Sequence, residues 1–180
     1  DGMIHCFRIS DGEELWAFMP SAGLKKLNNI ATNNSHDYFV DGKAIVKDIK
    51  ISNNGDYTDW RTIIVFGMGI GGKSYYAIDI TDPINPSYLW SIGIATHGVN
   101  TDKTVLITRT AETVISNDIL FGLTMDKPAI GVINTGSGKL SACVLSGGHD
   151  RDENLGSTDP QGKSIYILSA YTGAILKGFK

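Results

Sequence analysis

Apolar and polar residues alternate with a period of two in three stretches of the chain. Each stretch breaks at a polar turn and resumes at a leucine. They are residues 4–18 (IHCFRISDGEELWAF), 75–92 (YYAIDITDPINPSYLWSI) and 165–179 (IYILSAYTGAILKGF). A period of two puts successive side chains on opposite faces of a strand, and Asp-Gly, Asp-Pro or Thr-Gly at the turn predicts an antiparallel hairpin in each. Further strand-like runs precede the second hairpin at 44–51 and 62–66, and the third at 128–133 and 139–145. No segment carries a long run of helix formers at helical spacing. Four antiparallel strands repeated along a chain are the blades of a propeller, which covers each sheet face with its neighbour. The reading is an all-β fold, a β-propeller segment of about two and a half four-stranded blades, whereas a closed ring takes about 4 to 8. Residues 1–20 end one blade, 21–43 are a connecting insertion, 44–94 a second blade, 95–120 another insertion, and 121–180 a third blade.

The second and third units share a connector, because Gly72-Lys73-Ser74-Tyr75-Tyr76 returns as Gly162-Lys163-Ser164-Ile165-Tyr166. Gly69 and Gly72 lie three residues apart and the matching Gly148 and Gly162 fourteen, so eleven residues are inserted in the acidic loop 149–161. The first connector also satisfies a nucleotide-binding pattern, Gly67-x-x-x-x-Gly72-Lys73-Ser74, and the dinucleotide pattern Gly67-x-Gly69-x-x-Gly72. Both mechanisms need a helix directly after the glycines, whose N-terminal N–H groups hold the phosphates. The glycines lead instead into the alternating run 75–82, stopped by Pro83 and Pro86. They are therefore read as a tight strand connection, with a P-loop-like nucleotide binder as the third functional reading.

Composition narrows the classes further. The 180 residues are 42% hydrophobic and 19% charged with 21 glycines, as in a globular chain able to bury a core. A formal charge of -3 offers no basic field, so neither nucleic acid nor an anionic membrane surface is expected as a partner. No run of 18 apolar residues argues for membrane insertion. Cys6 and Cys143 each sit inside an apolar strand pattern and read as small buried hydrophobes. Whether they are paired is open, since a disulfide needs Cα atoms within about 7 Å.

These residues resemble the PilY-type proteins of type IV pili. The resemblance runs through DGMIHCF at 1–7, DGEELWAFMP at 11–20, SHDYFVDG at 35–42, Trp60-Arg61-Thr62, the glycine run 67–72, YYAIDITDP at 75–83, Leu89-Trp90, 122–130 and 166–176. Residues 95–119 and 149–161 match nothing in it. The resemblance implies the C-terminal propeller of such a protein, similar to quinoprotein alcohol dehydrogenases, displayed outside the cell at the pilus tip and reached through the periplasm. It implies a non-enzymatic role in pilus assembly, adhesion or retraction control. The implied partners are pilins or minor pilins, other pilus machinery and a host or surface ligand. A quinone-cofactor dehydrogenase is the enzymatic alternative on fold analogy. The resemblance also implies tryptophan docking between blades: Cys6, Arg8, Asp11, Gly12 and Trp16 fall at its spacing, as do Ala77, Asp79 and Trp90, while Lys177 stands where a third tryptophan belongs. The calcium loop of the family has no counterpart after Leu176, and no Arg-Gly-Asp sequence occurs.

The remaining candidates are few. Trp16, Trp60 and Trp90 are expected to pack between blades. His5, His36, His97 and His149 show no ligand spacing, and no Gly-x-Ser-x-Gly elbow supports a catalytic serine, so no catalytic residue is assigned. In the loop 149–161, Asp150, Asp152 and Asn154 alternate and Asp159 comes after them, which lets oxygen ligands converge on calcium as at the start of an EF-hand loop. Leu155 stands where that loop wants glycine, and Gln161 replaces its bidentate glutamate. Two readings stay open: a weak calcium site of Asp150, Asp152, Asn154 and Asp159, with calcium the one cofactor considered, and a solvated connector.

Overall fold

The computed structural model describes residues 2–33, 36–52, 59–94, 104–109, 111–116, 121–150 and 161–179. Three antiparallel sheets succeed one another along the chain. The first is a hairpin of β1 (Ile4–Phe7) and β2 (Glu14–Phe18). The second joins β3 (Ala44–Lys50), β4 (Trp60–Gly67), β5 (Ser74–Asp79), β6 (Ser87–Ile94), β7 (Thr104–Thr108) and β8 (Glu112–Ser116) in chain order. The third joins β9 (Ala129–Thr135), β10 (Gly138–Ser146), β11 (Ile165–Ser169) and β12 (Ile175–Phe179), also in chain order. Sequential antiparallel neighbours, sheet after sheet, are the blades of a propeller segment, as the alternation predicts.

The three repeated hairpins share a register. Cys6 pairs with Trp16, Ala77 with Trp90 and Ile167 with Lys177, and directly after each pair the ladder shifts by one residue. The residue left unpaired by that bulge is Leu15, Leu89 or Leu176, the leucine at which alternation resumes in each repeat. A bulge sharpens the local twist and re-aims the side chain beside it. Here that side chain is the tryptophan, or the lysine standing in its place.

Period-two burial then stacks the sheets. Sheet two turns Ile63, Val65, Tyr75, Ala77, Leu89, Trp90 and Ile92 toward Cys143, Leu145, Tyr166 and Leu168 of sheet three, and Phe121 joins that core. Its opposite face carries Phe66, Met68, Tyr76 and Ile78, packed by Ile4 and Phe18 of the first hairpin. Phe18 lies edge-on to both Phe66 and Tyr76, with ring centroids 6.2 and 6.1 Å away.

Three features differ from the sequence expectation. The span 21–43 is not merely a connection, because Ser21–Asn33 forms the helix α1. Its apolar positions Ala22, Leu24, Leu27 and Ile30 are separated by Gly23 and interspersed with asparagines, a weak intrinsic signal. Tertiary contact supplies the rest: the Ala22 N–H donates to the Tyr76 hydroxyl at 3.2 Å, and Ser21 Oγ lies 3.3 Å from the same oxygen. The span 95–120 likewise contains β7 and β8, so the second sheet has six strands rather than four. Their sequences, TVLIT and ETVIS, are β-branched, and β7 occupies the edge that β6 would otherwise expose. Trp60, finally, is 49% exposed. It opens β4 on the face of Phe66 and Tyr76, ahead of Ile64, which packs against that cluster.

Candidate functional site

The equivalent glycine connectors of sheets two and three are brought side by side by the short segment 121–124. On one side Gly122 N donates to Gly147 O at 2.7 Å, while Leu123 N and His149 O lie 2.7 Å apart and His149 N and Leu123 O 2.8 Å. On the other, Thr124 N donates to Gly72 O at 3.1 Å and Gly69 N to Thr124 O at 3.2 Å. The Thr124 hydroxyl accepts from Met68 N at 2.8 Å and donates to Ser74 O at 3.0 Å. Backbones approach so closely that side chains are excluded. Gly69 has φ 60° and a Cβ there would fall 2.5 Å from the Asp41 carbonyl carbon; its counterpart Gly148 has φ 90° and a Cβ would fall 2.6 Å from Leu123 O. Only glycine adopts these conformations at no steric cost.

This geometry accounts for the nucleotide-like motif. A phosphate cradle needs free backbone N–H groups, but those of residues 67, 68, 69, 71 and 72 already donate to Lys43 O, Thr124 Oγ1, Thr124 O, Met68 O and Gly69 O. The motif runs into β5 rather than a helix. The Lys73 ammonium donates to Gln161 Oε1, tying the first connector to the end of the acidic loop.

Above the connectors lies a cleft of about 630 Å3 whose wall includes Asp41, Lys43, Asp126, His149 and Lys163. Two aspartates and two lysines around one opening suit a polar ligand rather than an apolar one. A hydrogen-bonded chain leads inward from it: Ser146 Oγ donates to Asp126 Oδ2 at 2.6 Å, and the Tyr75 hydroxyl lies 3.2 Å from Ser146 Oγ. Burial pushes the Tyr75 phenol up to about 12; the Ser146 hydrogen bond opposes that shift and the Asp126 charge adds to it. Tyr76 is also raised, chiefly by burial. Cys143, among the core side chains, is pushed up to about 12 by burial. Both cysteines are free thiols, Cys6 half-buried and Cys143 buried.

Of the candidate calcium ligands, Asp150 is buried at 6% exposure beside this cleft. Asp152, Asn154 and Asp159 lie outside the described residues. Among the described residues no group of three or more His, Cys, Asp or Glu side chains is placed to hold a metal ion. Sequence reasoning passed over Thr124, Asp41 and Asp126. No local pattern marks them, since their contacts join segments about 20 to 56 residues apart.

Two tryptophans tie neighbouring sheets together. Trp16 Nε1 donates to Pro83 O at 3.0 Å, in the turn between β5 and β6 of the next sheet. Trp90 Nε1 donates to Ala170 O at 3.1 Å, just after β11 of the sheet after that. Each indole thus reaches from one sheet to the closing turn of the next. Trp90 is fully buried and its ring lies on Gly173, where a Cβ would come within 2.7 Å.

Stacked antiparallel sheets joined by indole-to-turn hydrogen bonds define a β-propeller of the tryptophan-docked kind. The particular family is given by the sequence profile of the PilY1 beta-propeller domain, which matches residues 1–180: the chain belongs to that family. It is 41% identical over 91 residues to a type IV pilus biogenesis factor PilY1 homolog of Xylella fastidiosa, covering 50% of this chain and 7% of that protein. It is 37% identical over 98 residues to the type IV pilus biogenesis factor PilY1 of Pseudomonas aeruginosa strain PAO1, covering 52% of this chain and 8% of that protein. The crystal structure of the Pseudomonas aeruginosa PilY1 C-terminal domain superposes with a TM-score of 0.60 at 28% identity, over 99% of this chain and 28% of that one. The matched region therefore spans less than a tenth of the length of these two curated relatives.

Proposed function

We propose that this chain is part of the propeller of a type IV pilus biogenesis factor. Its role is that of a non-enzymatic scaffold at the pilus tip, acting in pilus assembly, adhesion or retraction control through contacts with pilins or minor pilins. The observation that carries this reading is the family match over residues 1–180. The Xylella and Pseudomonas relatives bear the name of pilus biogenesis factors, and neither is named as an enzyme. The mixed-charge cleft beside Asp41, Asp126 and Lys163 is the surface best suited to a polar protein partner.

Deletion of the gene for the parent polypeptide tests the reading. Sheared surface pili and twitching motility are expected to fall, and complementation is expected to restore both. Repeating the deletion in a strain without its retraction motor separates the two roles: recovered pili assign retraction control, and continued absence assigns assembly. Attachment measured at equal piliation reads adhesion. Normal pili, motility and attachment in the deletion strain would overturn the proposal.

A further inference from the structure

Trp60 does not dock as the other two tryptophans do. Among the described residues its Nε1 donates to no carbonyl, whereas Trp16 and Trp90 each reach a turn of the next sheet. A cleft of about 420 Å3 opens beside the exposed indole, walled by Asp48, Trp60, Arg61, Thr62 and Thr81. That volume lies within the range of about 300 to 1,000 Å3 usual for small-ligand sites. One aromatic ring is thus set among a carboxylate, a guanidinium and two hydroxyls. Strand pairing fixes their spacing: Asp48 is opposite Thr62 and Lys50 opposite Trp60, so Asp48 and Trp60 are diagonal neighbours on one face, about 7 to 8 Å apart.

The polar groups are held in place by one another. Thr62 Oγ1 donates to Asp48 Oδ1 at 2.6 Å and Thr62 N to Thr81 Oγ1 at 3.0 Å, while Thr81 Oγ1 donates in turn to Asp79 Oδ1 at 2.6 Å. The Arg61 guanidinium is anchored twice: Nη1 donates to Trp60 O at 2.8 Å, and Nε lies 3.7 Å from Asp79 Oδ2. Asp48 is exposed and makes the Thr62 contact alone among the described residues, which leaves its Oδ2 to accept from a ligand.

We propose that this cleft binds a neutral pyranose sugar, whose C–H face stacks on the Trp60 indole while its hydroxyls donate to Asp48 Oδ2 and accept from the Arg61 guanidinium. A pyranose joins the two demands of the site, because one face offers C–H groups to the negative face of the indole and the rim offers hydroxyls that both donate and accept. A purely apolar ligand would strip water from Asp48 and Arg61 and return no hydrogen bond. An acidic sugar or a phosphate would meet the Asp48 charge, and Arg61 already faces Asp79. A protein partner seats a tryptophan hot spot within contacts that exclude water, whereas every other side chain in this wall is polar. The inference rests on the residues around Trp60 and does not depend on a role in pili.

Saturation-transfer NMR on the parent polypeptide tests it, with lactose, maltose, cellobiose and chitobiose as probes. At least one of the four is expected to bind through its ring C–H groups. Trp60→Ala and Asp48→Asn should each weaken that sugar about tenfold or more, and Trp60→Phe, which keeps a stacking face, about threefold or less. Where Trp60→Ala lowers stability, Trp60→Phe and Asp48→Asn still carry the comparison. No binding of any of the four, or equal binding by wild type and all three variants, would overturn the proposal. So would protection of Trp60 from hydroxyl-radical oxidation in the parent polypeptide as complete as that of Trp90, because the indole would then be covered. Purified pilin that binds the wild type and not Trp60→Ala, with no sugar bound, would make this face a protein interface and overturn the sugar site.

Discussion

Replacing Trp90 by alanine removes the largest side chain buried between two blades. The indole is 0% exposed, packs in the core shared with Cys143, Leu145 and Leu168, and its Nε1 donates to Ala170 O. Truncating a buried tryptophan costs about 3 to 5 kcal/mol, because the lost transfer free energy is joined by a cavity that its neighbours fill only in part. Here the cost belongs at the upper end, since the Ala170 carbonyl also loses its donor, a change worth about 1 kcal/mol or more when no water replaces it. With a urea m value of about 2 kcal/mol/M, the unfolding midpoint should fall by roughly 1.5 to 2.5 M. Trp90→Phe keeps much of the packing and loses the donor, so a drop of about 1 to 2 kcal/mol is expected and the fold survives for comparison. Urea titrations followed by circular dichroism measure both. A Trp90→Ala midpoint within about 0.5 M of wild type at unchanged m would refute the docking account.

Gly69→Ala meets both a positive φ and the Asp41 backbone and should lose about 1 to 3 kcal/mol in the same titration; Gly12→Ala, with φ 76° but nothing within 4 Å, should lose less. ATP or GTP at about 1 mM should produce no thermal shift dependent on Lys73, because the N–H groups of residues 67, 68, 69, 71 and 72 are already bonded and no helix follows them. If the loop 149–161 holds calcium, calorimetry should show heat at about 0.1 to 1 mM for the wild type and none for Asp152→Ala; no heat, or equal heat, leaves a solvated connector. Stability should fall as pH rises from about 9 to about 12, because Cys143 moves from 9.0 and Tyr75 from 10.0 up to about 12 in the folded chain: the unfolded chain loses these protons first, so the contribution is full below about pH 9. Cys143→Ala should flatten the lower part of that slope.

The elements that could be read from the sequence were those in which local chemistry and tertiary demand agree. The three hairpins declare themselves by period-two alternation closed by turn residues, and Trp16 and Trp90 stand in the same register because the same leucine bulge precedes them. Helix α1 escaped because its stabilisation is not local: without the Tyr76 hydroxyl at its first turn, a segment with Gly23 and several asparagines has little to recommend it as a helix. Strands β7 and β8 carried a β-branched signal, but four strands already completed a blade, and nothing nearby announces that a sheet will be extended. Trp60 shows the limit of residue type as a guide, since it stands half exposed at the start of a strand whose last residues are buried. The cleft was not legible at all, because Asp41, Asp126 and His149 meet only through the backbone pairing at Thr124 and Leu123.

The glycine run of residues 67–72 shows why one string of letters serves two unrelated structures. A phosphate loop and a blade connector share a requirement, namely that another group approach the backbone more closely than any Cβ allows. In a phosphate loop the approaching group is the ligand, and the N–H groups converge on it from the start of a helix. In this chain it is the protein itself: Thr124 takes the bonds of Met68 and Gly69, and the chain continues as β5. The lysine obeys the same division. It would reach a phosphate in the first case, and here it reaches Gln161 at the end of the inserted loop. The motif therefore records close backbone approach, and the element after it decides what approaches.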